Sequence, residues 1–204
     1  LLHTSINLGG MTVAFACSIF ILLVVYRHLT FDDFQQNKDS IYKVYSYSVG
    51  PDGEELGTSM AFPLTDALRT ENVGVDKVTS IVTRGKLVRN GEKTLDMSTT
   101  LVEPDFLQMF TFPIVKGNAN NPLSDLSKSA IVKDFPENST IKFSLLARKE
   151  LDPDYAKIAN TWDNQTHPVY VQLKANITQE QAESRLRLLS KKYRPDDEAA
   201  EKKN

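Results

Sequence analysis

"LGGMTVAFACSIFILLVVYRHLTFDDFQQNKDSIYKVYS", Leu8–Ser46, changes character once, at Arg27. No charged residue lies between His3 and Arg27, and Leu8 to Tyr26 is almost wholly apolar. A run of that length matches the roughly 20 residues that a helix needs to cross a bilayer. A signal sequence has a shorter apolar region, about 7–15 residues, and ends in a small-residue cleavage site. This run ends instead in Val-Val-Tyr-Arg-His-Leu-Thr. A buried core helix is the other alternative, and the length favours a membrane span. Charge does not orient it, because the N-terminal flank is short and holds no Lys or Arg. Gly10, Ala14 and Ser18 recur at every fourth position and share one helical face, where small side chains let a second membrane helix approach closely.

Beyond Arg27 the same stretch poses a choice. Asp32 and Asp33 form either a chemical pair or part of the joint at which a membrane helix becomes a folded domain. On a helix, adjacent residues point about 100° apart, so two neighbouring carboxylates do not converge on one ligand. The expectation is a structural joint with solvated aspartates at a helix end and with Phe31 and Phe34 anchored at the membrane surface. Pro and Gly are both absent between Met11 and Val49, which permits a stiff connection.

The 204 residues, 41% of them hydrophobic, suffice for one ordinary domain besides the helix. With 24 basic against 26 acidic residues, scattered rather than lined along one face, the chain has no electrostatic footprint for nucleic acid. Cys17 is the single cysteine, and His3, His28 and His167 lie far apart, so no disulfide and no metal-binding spacing is expected.

Ile41 to Tyr47 suggests a first strand closed by the turn "GPDGEELG". Phe62 to Asn72 suggests a helix with Pro63 in its first turn. Asp76 to Val88, rich in Val, Ile and Thr, predicts a strand, and Asn90-Gly91 a hairpin turn from which "EKTLDMSTTLV" returns. "EPDFLQMF" predicts a short helix, "SAIV" (Ser129–Val132) a short strand, and "HPVYVQLK" a strand with Val169, Val171 and Leu173 alternating against Tyr170 and Gln172. Thr178 and Gln181 form a capping box that opens a last helix carrying Ala182, Leu186, Leu189 and Tyr193 at helical spacing, with Glu183 and Arg187 placed as an ion pair. Strands alternating with helices predict an α+β domain, a mixed α/β arrangement with βαβ-type elements, preceded by one N-terminal membrane helix.

Motifs with chemistry are lacking. "RGKLV" has a Gly-Lys pair but neither the upstream glycine nor the following Ser or Thr of a phosphate loop. There is no G-x-S-x-G and no H-E-x-x-H. Asp152 and Asp154 read as members of a solvated loop, and Trp162 as a partly buried structural side chain. No catalytic, cofactor-binding or metal-ligating residue is expected.

"INLGGMTVAFA" followed by "LTFDDFQQNKDSIYKVYS" resembles the first transmembrane helix and juxtamembrane entry of bacterial ABC-transporter permeases of the MacB/FtsX type. The matching positions are Asn7, Gly10 and Ala14, then Phe31, Asp32, Phe34, Ile41, Tyr42, Lys43 and Val44. "VEPDFLQMFTFPIVKGNANNPL", "KDFPENSTIKF" and "HPVYVQLK" follow in the family's order, with Thr140 where a histidine is frequent. In such permeases "SAIV" continues into a helix and further strands, so a few dozen residues are expected to be missing between Val132 and Lys133.

The resemblance implies a membrane helix and flank at 1–29, an extracytoplasmic MacB-like periplasmic core domain at 30–195 and a charged, mobile tail at 196–204. It implies a non-catalytic permease fragment in the bacterial inner membrane, with the main domain extracytoplasmic. A cytoplasmic ABC ATPase subunit would hydrolyse ATP; a second permease copy, a periplasmic or outer-membrane protein and membrane lipid are the other implied partners. The extracytoplasmic domain would transmit ATP-driven motion to export, lipoprotein release or a periplasmic partner. The alternative is the extracytoplasmic sensor domain of a membrane receptor. A membrane-anchored enzyme is disfavoured by the missing catalytic sets.

Overall fold

The computed structural model describes residues 2–50, 53–90, 93–112, 114–116, 123, 131–132, 138–143 and 145–194. Helix α1 (Leu2–Leu29) is one uninterrupted element, and the side chains described along it are exposed, which in water would be untenable for so apolar a surface. It is long enough, at about 1.5 Å per residue, to cross a membrane.

The domain that follows is built from β1 (Ile41–Lys43), β2 (Ser46–Gly50), β3 (Gly53–Gly57), β4 (Met60–Ala61), α2 (Pro63–Thr70), β5 (Val75–Asn90), β6 (Lys93–Val102), α3 (Phe106–Met109), β7 (Ile114–Lys116), β8 (Ile131–Val132), β9 (Leu145–Arg148), α4 (Tyr155–Ile158), β10 (Gln165–His167), β11 (Val169–Leu173) and α5 (Gln179–Tyr193). Five strands form the main sheet in the order β1-β11-β5-β6-β9. All neighbours are antiparallel except β6 and β9, whose parallel pairing of Thr99–Val102 with Leu145–Arg148 is the βαβ-type unit, with α3 in the crossover. Strand β5 serves two partners, β11 along Val75–Ser80 and β6 along Ile81–Asn90.

Strand alternation sorts the core onto the two faces of this sheet. Val78, Val169 and Val171 pack with Leu68 of α2 and Leu189 of α5, and Val82 and Leu101 pack with Phe62 on the same side. Ile81, Val102 and Tyr170 point the other way, into an aromatic cluster around Phe106, Phe110, Phe112 and Phe143. Phe106 and Phe112 stack at 5.8 Å, and Phe143 meets Phe112 edge-on at 5.1 Å. Each fully buried side chain such as Phe62 or Phe106 contributes roughly 1.5–3 kcal/mol. Gly74 takes φ +88° in the turn before β5, where an added Cβ would lie 2.8 Å from Ile177, so this position requires glycine.

The α+β class stands, as do the helices at Phe62–Asn72 (shortened to α2), at Phe106–Met109 and after Thr178, whose side chain accepts from the Gln181 amide at 3.3 Å while the Gln181 side chain accepts from the Thr178 amide at 3.1 Å. Two expectations need correction. The first strand breaks at Val44–Tyr45: β1 joins the main sheet, while β2 turns away to pair with β3. Glu183 and Arg187 do not form an ion pair, since Gln179 donates to Glu183 at 2.8 Å instead. Ser129 and Ala130 of the predicted strand, the Val132–Lys133 junction and the tail at 196–204 lie outside the described residues.

Candidate functional site: the juxtamembrane joint

Helix α1 ends at Leu29, where the Thr30 amide and hydroxyl both bond back to the Tyr26 carbonyl at 3.0 Å. The chain then reverses through Asp32 at φ 57°, a left-handed conformation in which Asp is among the few tolerated non-glycine residues. The reversal is fastened to the segment Asn138–Thr140. The Asp32 amide donates to the Asn138 carbonyl at 2.9 Å, the Thr140 amide donates to Asp32 Oδ1 at 2.9 Å, and Asn138 Nδ2 donates to the Thr30 carbonyl at 2.5 Å.

A second fastening follows at once. Gln35 is buried, and its Oε1 accepts from the Thr111 amide at 2.6 Å. The Gln36 amide donates to Thr111 Oγ1 at 3.3 Å. Asn37 Nδ2 donates to the carbonyls of Met109 at 3.0 Å and Gln108 at 3.3 Å, at the C-terminus of α3, where helix carbonyls lack intrahelical partners. Phe34 packs against Phe112, ring centres 6.1 Å apart. Ser40 Oγ accepts from Gln172 Nε2 at 3.1 Å as the chain enters β1.

At the other end of α3 lies a buried ionic cluster. Glu103 is fully buried; its carboxylate takes the Ser80 hydroxyl at 2.8 Å, Lys149 Nζ at 3.0 Å and Arg69 Nη2 at 3.5 Å. Lys149, 2% exposed, also donates to Thr65 Oγ1 at 3.0 Å. Burial works against the Lys149 charge, but Glu103 and Asp66 outweigh it and hold its pKa above the ordinary value. Arg69 reaches Asp105 at 3.3 Å and the Val78 carbonyl at 3.0 Å. The joint is thus bonded to α3, and α3 begins in a cluster tying together α2, β5 and the segment after β9.

The structure redistributes the residues singled out from sequence. Gly10, Ala14 and Ser18 all lie exposed on α1, and Ser18 Oγ donates to its own Ala14 carbonyl at 2.9 Å. Asp32 is not a solvated residue at a helix end: it sits in a turn and its carboxylate holds Thr140. Asp33 is exposed and pairs with Lys38 at 2.5 Å. Phe31 stays beside His28 at 6.4 Å, whereas Phe34 is half-buried and packs against the aromatic core. Ile41 and Tyr42 lie in β1, paired with Gln172 and Val171. Asp152, expected in a solvated loop, is buried with Arg84 Nε 3.5 Å away. Trp162 is half-buried and stacks on Tyr193 at 4.7 Å, as a structural side chain would.

Sequence reasoning missed Gln35, Asn37, Glu103 and Lys149. Their partners are remote in the chain, and the single local hint was an uncharged polar run, Gln35–Asn37, directly behind two aspartates.

The family described as the MacB-like periplasmic core domain matches residues 4–134. Among solved structures, a domain from Porphyromonas gingivalis described as part of a permease aligns with TM-score 0.61 at 23% identity, over 78% of this chain and 84% of that one. The periplasmic region of MacB from Actinobacillus actinomycetemcomitans aligns with TM-score 0.43 at 15% identity, over 66% of this chain and 75% of that one. The extracellular domain of the noncanonic ABC-type transporter YknZ from Gram-positive bacteria aligns with TM-score 0.40 at 12% identity, over 75% and 94%. No curated protein matches the sequence.

Proposed function

The chain belongs to the family of the MacB-like periplasmic core domain, and from that membership we propose that its joint makes membrane helix and domain move as one body in an ABC-transporter permease. A separate ATPase subunit in the cytoplasm would hydrolyse ATP. The permease would pass that cycle along α1 to the extracytoplasmic domain, which would act on an exported substrate, a lipoprotein or a periplasmic partner. A second permease copy packs against the Gly10, Ala14 and Ser18 face of α1 in this scheme, in the inner membrane.

The observation that supports it is the double fastening at 30–37. A flexible linker would let α1 tilt without moving the domain. The helix itself does not run on into the domain, since it ends at Leu29 and the chain reverses at Asp32. Stiffness comes instead from hydrogen bonds to Asn138–Thr140 on one side and to α3 and Thr111 on the other. Nothing in that arrangement is built for bond-breaking chemistry: its members are amides, hydroxyls and one carboxylate, each engaged by backbone.

The test is a Gly-Ser segment inserted after Leu29 in the whole permease. ATPase activity should persist while transport is lost. Transport at the unmodified level would overturn the reading.

A further inference from the structure

Helix α1 sets the height at which the domain meets the membrane. Its last apolar side chain, Leu29, is 73% exposed, and Tyr26, 67% exposed, stands one turn before it, as aromatic residues do at a bilayer interface. Beyond the hydrocarbon, the headgroup layer is about 5–7 Å thick on each side. The chain reverses at Asp32, three residues past Leu29. A segment bonded to that reversal therefore lies in the headgroup layer or at its edge.

That segment is Asn138–Thr140, 108 positions further along the chain. Burial alternates from there to Phe143. Ser139 and Phe143 are buried and Ile141 packs against the aromatic cluster, so the exposed Thr140 and Lys142 share the outer side. The Thr140 amide donates to Asp32, which sets this outer side beside the end of α1. Lys142, two residues on, is at most about 7 Å further along the backbone.

Charge makes the surface selective. Among the described residues, neither Arg27, in the last turn of α1, nor Lys142 is paired with an acid. The acids at the reversal are engaged, Asp32 by the Thr140 amide and Asp33 by Lys38, and Asp39 stands further on, in the turn leading into β1. Two unpaired cations at headgroup depth attract lipid phosphate. A zwitterionic lipid balances its phosphate with its own ammonium, so an anionic lipid gains more from these cations.

We propose that Asn138–Lys142 is a surface on which the domain rests against the membrane, and that Arg27 and Lys142 bind anionic phospholipid headgroups there. The proposal needs α1 to span the bilayer and needs no motion through the joint. Loss or survival of transport in the Gly-Ser variant therefore leaves it unaffected.

The test is photo-crosslinking from position 140 in the whole permease, without ATP, in nanodiscs of phosphatidylglycerol and phosphatidylcholine in equal parts. Thr140 gives the joint only its backbone amide, so its side chain can be replaced. Position 157 is the control, exposed on α4 and packed on the sheet face opposite the aromatic cluster. The expected result is lipid adducts at 140 and only background at 157, with phosphatidylglycerol favoured about fivefold, the scale of one Lys or Arg near a charged surface. Arg27→Gln with Lys142→Gln should keep the adducts and abolish the preference, and high salt should do the same to the unaltered charges. Lipid adducts at 140 no more frequent than at 157, adducts to protein in their place, or a ratio that follows the disc composition would each overturn the proposal. So would a preference that survives the double variant.

Discussion

Asp32 Oδ1 accepts a 2.9 Å hydrogen bond from the backbone amide of Thr140, a residue 108 positions further along the chain. The bond closes the turn that leaves the membrane helix onto a segment remote in the chain, and it uses a carboxylate whose own backbone is left-handed.

Asp32→Ala removes the acceptor and puts alanine at φ 57°, so it should cost about 1–3 kcal/mol, combining a lost charge-assisted hydrogen bond with left-handed strain. Asp32→Asn keeps an acceptor and tolerates the conformation, and should cost less than half as much. Denaturant unfolding of the two variants in detergent checks the order. Equal losses would show that the Thr140 bond contributes little.

Gln35→Leu should be more damaging than its size suggests. The half-buried Thr111 amide would lose its 2.6 Å partner, and a donor orphaned in this way costs at most about 1–3 kcal/mol. Hydrogen exchange should then quicken at Thr111 and around α3, while α5, remote from the joint, should keep its protection.

The Glu103–Lys149 pair should behave as a unit. Glu103→Gln or Lys149→Met alone leaves a buried charge without its closest partner, a loss of about 3–5 kcal/mol. The double variant should be less destabilised than the sum, because the stranded charge is gone in both directions. Additive losses in a double-mutant cycle would show that the two do not couple.

His167 makes stability depend on pH. Its ring lies 4.3 Å from that of Phe62 and is 1% exposed; burial, and then the charges of Lys149 and Arg84, lower its pKa from 6.5 to about 4. The unfolded chain therefore binds the proton first as pH falls. This contribution is complete above pH 6.5 and is lost between pH 6.5 and 4, in total on the order of 3 kcal/mol, with about 2 kcal/mol gone at pH 5. Unfolding midpoints of the wild type should fall from pH 7 to 5, and those of His167→Gln should fall much less.

What could be read from the sequence was whatever depends on near neighbours. The apolar run to Tyr26 states a membrane span because bilayer thickness alone sets its length. Val169, Val171 and Leu173 announce a strand with a core face because side-chain alternation is local, and Thr178 with Gln181 announces the start of α5 because both halves of a capping box lie within one turn. The break of the first strand at Val44–Tyr45 was not legible: the alternation of Ile41–Tyr47 continues through it, and only the choice of partner, β11 for β1 and β3 for β2, separates the two.

The sequence by itself determined a membrane helix, an α+β domain and a joint between them. Tertiary structure decided what the joint is made of. Asp32 finds Thr140, Gln35 finds Thr111 across 76 positions, and Arg69 finds Glu103 across 34. A hydrogen bond acts over about 3 Å of space and is indifferent to distance along the chain. Such partners become visible only when the sheet has brought them together.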